Sequence, residues 1–252
     1  IIGIPAEDRA QFKEWSDVLV AAPSDMNVSG RQELFDLRME TMSEMSAFFE
    51  EMVEARRTGE ETQDDLFSTI LNTDLSEEGT IKFFDFLLLA GNITTTKLLS
   101  NAIWTFIEED SFADLHSGEM SLEDAIEEVL RYRSPVKVVT RKTAQEVDVQ
   151  GQTIPKGEVV VGWLAAANRD PRVFDDPDSF VPSRDNRAHM AFGKGVHTCL
   201  GSSLARLEAK VMLQEFLDRF ADAELLIEQL EPFISRSTYG MTSLPIRVEQ
   251  RT

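Results

Sequence analysis

The residues best equipped for chemistry lie between Phe192 and Gly201, in the run F-G-K-G-V-H-T-C-L-G. Cys199 is the only cysteine in 252 residues, so its sulfur can join no internal disulfide. Gly193, Gly195 and Gly201 bracket it, and residues without Cβ let a loop turn tightly and let another group approach its backbone. The next stretch places Leu204, Leu207, Val211, Phe216, Leu217 and Phe220 among the polar Arg206, Glu208, Lys210 and Asp218, and reads as an amphipathic helix. Cys199 therefore precedes a helix N-terminus, where free N–H groups and the positive end of the macrodipole favour a thiolate. A thiolate so placed can bind a metal. A cysteine without such neighbours is most often a small buried hydrophobe.

This run resembles the proximal haem-binding loop of the cytochrome P450 family, with Phe192, two glycines, His197, Cys199 and Gly201 at the family's positions. The resemblance implies haem b, with the Cys199 thiolate as axial iron ligand pushing electron density toward the metal. It also implies that Phe192 packs beside the sulfur, that His197 hydrogen-bonds a propionate, and that Gly193, Leu200, Gly201 and Ala205 line the cofactor. Backbone N–H groups near the sulfur would tune its donor strength.

The elements that must position this loop follow from pattern. Asp8 to Val20 and Ser29 to Arg57 carry apolar residues at helical spacing; the methionines and phenylalanines of the second (Met42, Met45, Phe48, Phe49, Met52) read as core or cavity wall. Asp64 to Leu71 reads as a short helix. A longer one starts near Ser76, with Glu77 and Glu78 in its first turn. It runs through Phe83, Phe86 and Leu87 to Ala90, apolar nearly all round as a buried helix should be.

Inside that helix A-G-N-I-T-T-T (90–96) breaks the aliphatic surface, and Gly91 lowers helix propensity by about 1 kcal/mol relative to alanine. A structural kink, with Thr94 bonding back to the preceding turn, is one reading. By resemblance the stretch matches the family's central helix, where Ala90, Gly91, Asn92, Thr94 and Thr95 border a dioxygen groove and Thr94 assists proton delivery. Ile93 stands where the family usually holds an acid. Isoleucine carries no proton, so relay would pass through water held by Asn92 or Thr95.

Ser121 and Asp124 read as a capping box opening a helix that Pro135 terminates. Glu128 and Arg131, three apart, suit a routine surface ion pair. By resemblance they are instead the family's buried E-x-x-R pair, joined by Arg184. After Pro135, V-K-V-V-T-R is β-like. Resemblance makes Arg141 a second propionate ligand, a role suited to a planar guanidinium, and places Val136 and Val139 on the substrate side with Phe86 and Ala90. Strand patterns follow at Val147, Val149, Ile154 and Val159 to Val161. Ser235 to Val248 reads as a hairpin whose tip, Tyr239 to Thr242, brings Met241 to the substrate.

Apolar content of 42% suits a globular chain read most simply as one domain. The longest apolar run, Phe83 to Ala90 interrupted by Asp85, is far short of the roughly 20 residues that span a bilayer. No basic, then apolar, leader pattern opens the chain, which implies a cytoplasmic protein. Net charge is −20, from 45 acidic against 25 basic residues, which argues against nucleic acid and anionic membranes as partners. The same surplus suits a halophilic source. The chain opens at Ile1 in I-I-G-I-P and reads as a fragment.

The resemblance therefore implies a mainly α fold with small β-sheets, the C-terminal two-thirds of the family fold over residues 1–252, lacking one wall of the substrate pocket. The implied activity is a haem-thiolate monooxygenase acting with dioxygen on a small apolar substrate. Its electrons would come from a ferredoxin-type donor docking near Lys194 and Arg206. A peroxide-driven enzyme would also use Cys199, but usually carries a basic residue near the threonine. A non-catalytic haem sensor or an apo helical fragment is the other alternative.

Overall fold

The computed structural model describes residues 6–21, 28–59, 65–185, 188–233, 235 and 237–251. The opening I-I-G-I-P and Asp64 lie outside them. The described residues form two compact units, Ile1–Ile93 and Thr94–Thr252.

The first unit holds α1 (Arg9–Val20), α2 (Val28–Arg57), α3 (Leu66–Leu71) and the start of α4 (Glu77–Glu108). Helix α3 starts where the Asp65 carboxylate accepts from the Ser68 N–H at 2.8 Å, an N-cap that satisfies a donor the helix cannot. Arg56 holds the same carboxylate through two hydrogen bonds, at 3.1 and 3.2 Å. Phe49, Phe67 and Phe84 are fully buried, and the last two stack at 4.0 Å between centroids. The expected core role of α2 holds for its second half, at Met45, Phe49 and Val53. It fails for the first half, where Phe35, Leu37, Met39 and Met42 are exposed.

Helix α4 is unbroken through Gly91. It is not buried all round, since Phe86 is 55% exposed and Gly91 is exposed too. Ile81, Phe84 and Leu88, at spacings of three and four, supply the core stripe. Phe86 points elsewhere because it falls two residues from Phe84 and Leu88.

The second unit continues with α5 (Phe112–Ser117), α6 (Leu122–Tyr132), β1 (Val138–Lys142), β2 (Val147–Val149), β3 (Gln152–Ile154) and β4 (Val159–Trp163). Then come α7 (Leu164–Ala167), α8 (Ser202–Arg219), β5 (Phe220–Leu225), β6 (Glu231–Pro232), β7 (Met241–Ser243) and β8 (Ile246–Gln250). Ser121 caps α6 by accepting from Asp124 N–H at 3.4 Å. Strands β1 and β4 pair antiparallel with Arg141 opposite Val160, and β2 pairs β3 across a turn at Gln150 and Gly151. Leu98, Ala102 and Phe106 of α4, Ala125 and Val129 of α6, and Ala209, Leu213 and Leu217 of α8 share one core.

Two expectations need correction here. The segment 235–248 is no single hairpin, because β7 pairs with β6 and β8 pairs with β5. The chain leaves β7 at Leu244 and Pro245, and Leu226 N–H donates to Pro245 O at 3.0 Å as it joins the β5 side. Apolar alternation reports that a segment is a strand, not which strand it joins. Helix α8 likewise buries Ala209, Leu213 and Leu217, while Leu204, Leu207 and Val211 form an exposed stripe. Among the described residues, no helix is long and apolar enough to cross a membrane.

Candidate functional site

The loop before α8 is shaped by two left-handed glycines, Gly193 at φ 68° and Gly195 at φ 72°. A Cβ at Gly193 would lie 3.2 Å from His197 O, so the turn closes on itself there. Cys199 N–H donates to Phe192 O at 2.8 Å and Thr198 N–H to Gly195 O at 3.0 Å, which ties the cysteine to the residue seven before it. Gly201 is not left-handed, with φ −83°, and like Gly195 it has no atom beyond its chain neighbours within 4 Å of the position a Cβ would take. Its lack of a side chain leaves open space beside the cysteine. The Cys199 thiol is free and exposed, flanked by Val196, 98% exposed, and Leu200, 77% exposed.

Phe192 is held from behind. The Arg206 guanidinium lies over its ring, 4.5 Å from the centroid, and Arg206 is itself fixed by Glu127, with Nη2 donating to Oε2 at 2.9 Å. Ala191 N–H donates to His189 Nδ1 at 3.2 Å, which leaves Nε2–H to donate to Glu127 Oε2 at 3.0 Å. One neutral imidazole tautomer satisfies both bonds. Burial pushes the Glu127 carboxyl up, but the hydrogen bonds from Arg206 and His189, with the charge of Arg206, outweigh it and hold the group at about 2. Arg206 is thus committed to the loop's own support, and the exposed cation nearest the loop in sequence is Lys194.

Glu128 and Arg131 are both fully buried. Arg131 donates twice to Glu128, at 2.7 and 2.8 Å, and further to the carbonyls of Asn168, Pro177 and Ser179. All five guanidinium donors are used. Glu128 Oε1 also accepts from Val181 N–H at 2.8 Å and from Arg184 Nε at 3.3 Å. Asn168 extends this frame toward the loop, since its Oδ1 accepts from Met190 N–H at 2.6 Å.

Thr95 donates to Glu208 of α8 at 3.3 Å, and in the first unit Asn92 donates to Ser16 at 3.0 Å. Thr94 is half-buried and Ile93 is buried. Arg141 is exposed, and its guanidinium donates to Thr140 O at 2.9 Å. His197 is exposed as well. Val136, Val139, Met241 and Ala205 are partly buried, Val136 bridging to Thr238.

The family model for cytochrome P450 matches residues 13–249. The chain belongs to the cytochrome P450 family. This P450 chain is 34% identical to a putative cytochrome P450, YjiB, of Bacillus subtilis, over 98% of its own length and 63% of the relative's. It is 37% identical to cytochrome P450 119 of Sulfolobus acidocaldarius, over 92% of its length and 59% of the relative's. Among solved structures it matches CYP109E1 of Bacillus megaterium in complex with testosterone at a TM-score of 0.91 and 38% identity. That match covers 100% of this chain and 66% of the other. The P450 chain thus spans about three-fifths of the curated relatives' length.

Membership implies haem as the cofactor, and the donor set fits it. A lone exposed sulfur between exposed apolar side chains, with vacant space over Gly201, is what a flat apolar macrocycle would cover. Exposed Arg141 and His197 suit its carboxylates. Sequence reading missed Glu127, His189 and Asn168. Glu127 hides beside Glu128 as one more acid of α6, and only the fold reveals that His189 and Arg206 converge on it.

Proposed function

We propose that this chain carries the haem-thiolate core of a monooxygenase that inserts one atom of dioxygen into a small apolar substrate. The observation that carries the reading is the exposed Cys199 thiol on a loop preset by Gly193 and Gly195. Bound haem b supplies the activation of dioxygen.

The chain's residues do the rest. Cys199 would offer its thiolate to the haem iron, and Phe192, pressed by Arg206, would limit water at the sulfur. His197 and Arg141 would hold the two propionates. Thr94 would hold a proton donor through its hydroxyl. Ile93 offers no acid there, and the Asn92 amide and Thr95 hydroxyl each donate to a protein partner, so proton delivery depends on water ordered at Thr94. Phe86 and Ala90 in the first unit, and Val136, Val139 and Met241 in the second, would present apolar surface to substrate, Gly91 would border the dioxygen groove with Asn92, Thr94 and Thr95, and Gly193, Leu200, Gly201 and Ala205 would lie against the cofactor. Residues 1–252 together make one incomplete haem-thiolate domain. An acidic ferredoxin-type donor would dock at Lys194 rather than Arg206, in a cytoplasmic setting. The charge of −20 suits high ionic strength.

The test is the absorption spectrum of the reduced, carbon-monoxide-bound chain after haem reconstitution, beside Cys199→Ser. A strongly red-shifted Soret band that the variant loses is the expected result. The same band in both proteins would overturn Cys199 as ligand, and no haem uptake would overturn the reading for this chain.

A further inference from the structure

Helix α4 buries a cation, Lys97, one turn beyond Thr94 and on the same face, three residues on. Its Nζ donates to Met241 O at 2.6 Å and lies 4.1 Å from the centre of the Phe233 ring. One turn further, Asn101 is fully buried and donates to Tyr239 O at 3.2 Å and to Arg133 O at 2.9 Å. Between these two side chains sits Gly240, at φ 152°, where a Cβ would come within 2.8 Å of Lys97 Cδ. Phe233 N–H donates to Gly240 O at 3.0 Å, so these two residues meet beside the same cation.

A strongly hydrated ammonium is costly to bury unless its donors are met. An apolar side chain of equal length would fill the space more cheaply, yet would leave the Met241 carbonyl without this donor. A carbonyl and an aromatic face both attract the ammonium from fixed directions. The lysine therefore sets where β7 begins relative to α4.

We propose that Lys97 is a positioning residue for substrate selection: through the Met241 carbonyl it fixes how far the Met241 side chain stands from Thr94. This rests on the monooxygenase reading in assigning Met241 and Thr94 to the pocket. The tether itself does not.

Two measurements on the full chain test the two parts. Lys97→Met should speed amide hydrogen exchange in the 231–243 peptide by about tenfold or more, as loss of a local tie does, and Lys97→Arg should restore most of the protection. Gly240→Ala, which keeps the charge but forces the chain away from Lys97, should speed exchange in the same peptide. Exchange unchanged in both Lys97→Met and Gly240→Ala would overturn the tether.

In the haem-loaded chain, the affinity of 4-phenylimidazole relative to imidazole reads the pocket apart from the iron. Lys97→Met should change that ratio by about tenfold while leaving imidazole binding alone. Faster exchange with an unchanged ratio would make Lys97 merely structural and overturn the selection role. Failure of the wild-type chain to take up haem would instead overturn the monooxygenase reading, and the selection role with it, while the exchange result would still decide the tether.

Discussion

The Arg206 guanidinium stacks 4.5 Å over the Phe192 ring, and the carbonyl of Phe192 accepts from the N–H of Cys199 at 2.8 Å. One residue of α8 thus braces the loop through its aromatic side chain while the loop's backbone braces the cysteine. Glu127 completes the brace from α6, so the cysteine's position depends on a carboxylate that touches neither the sulfur nor its neighbours in sequence.

The brace has a definite pH signature. Glu127 is held at about 2, below its ordinary 4.5, so its contribution to stability is complete above about 4.5 and is lost as pH falls through about 2. Urea unfolding of wild type and Glu127→Gln from pH 7 to pH 2 should show the two curves converging at the acid end. Curves that stay parallel across that range would refute the brace.

The Glu128–Arg131 pair is buried with every guanidinium donor used, so removing Glu128 strands Arg131, and removing Arg131 leaves Glu128 only the longer bond from Arg184 and the Val181 N–H. Glu128→Gln and Arg131→Met should each cost about 3–5 kcal/mol, seen in the urea midpoint. The double variant should cost less than the sum, because neither charge is then left alone.

The glycines of the loop separate folding from cofactor binding. Gly193→Ala forces a left-handed alanine against His197 O and should lower the melting temperature of the apo chain. Gly201→Ala meets nothing in the chain and should leave apo stability unchanged while weakening haem uptake. Equal effects of both variants on apo stability would contradict this division.

Asp85 in the first unit is a half-buried liability. Burial raises its carboxyl, the Ser46 hydrogen bond at 2.9 Å opposes that, and the charge of Glu50 adds to it. One of its oxygens, Oδ1, has no hydrogen-bond partner. With the folded value raised, stability is greatest below the ordinary 3.8 and falls as pH rises through the folded value. Asp85→Asn keeps an acceptor for Ser46 and should raise the melting temperature at pH 7 but not at pH 3. A lower melting temperature at pH 7 would count against this account.

Much of this was legible in residue order. Local rules found the helix at Ser121 and the glycine-turned loop before α8, because caps and left-handed turns are written in adjacent residues. The E-x-x-R spacing identified the Glu128–Arg131 pair, although its burial came only from resemblance. Long-range pairing was illegible: nothing in Met241 to Ser243 says that β6 rather than β8 is its partner. Helix α8 misled for a related reason. It is apolar on two faces, and a periodic pattern does not say which one the core takes. Lys97 escaped notice because one lysine in a helix is ordinarily a solvated surface residue, and its burial depends on a segment more than a hundred positions away.

Asn168 ties its own stretch to α6 and to Met190. Its carbonyl accepts from Arg131, its side chain reaches Leu130 O at 3.5 Å, and its Oδ1 receives Met190 N–H. Each of those bonds needs a different atom of the same residue, in a site with no exposed surface. Aspartate would supply the acceptor but not the donor, and glutamine would overfill the site. In a saturation scan this single position should therefore accept fewer replacements than the cysteine loop's own exposed Val196 or Thr198, although it performs no chemistry at all.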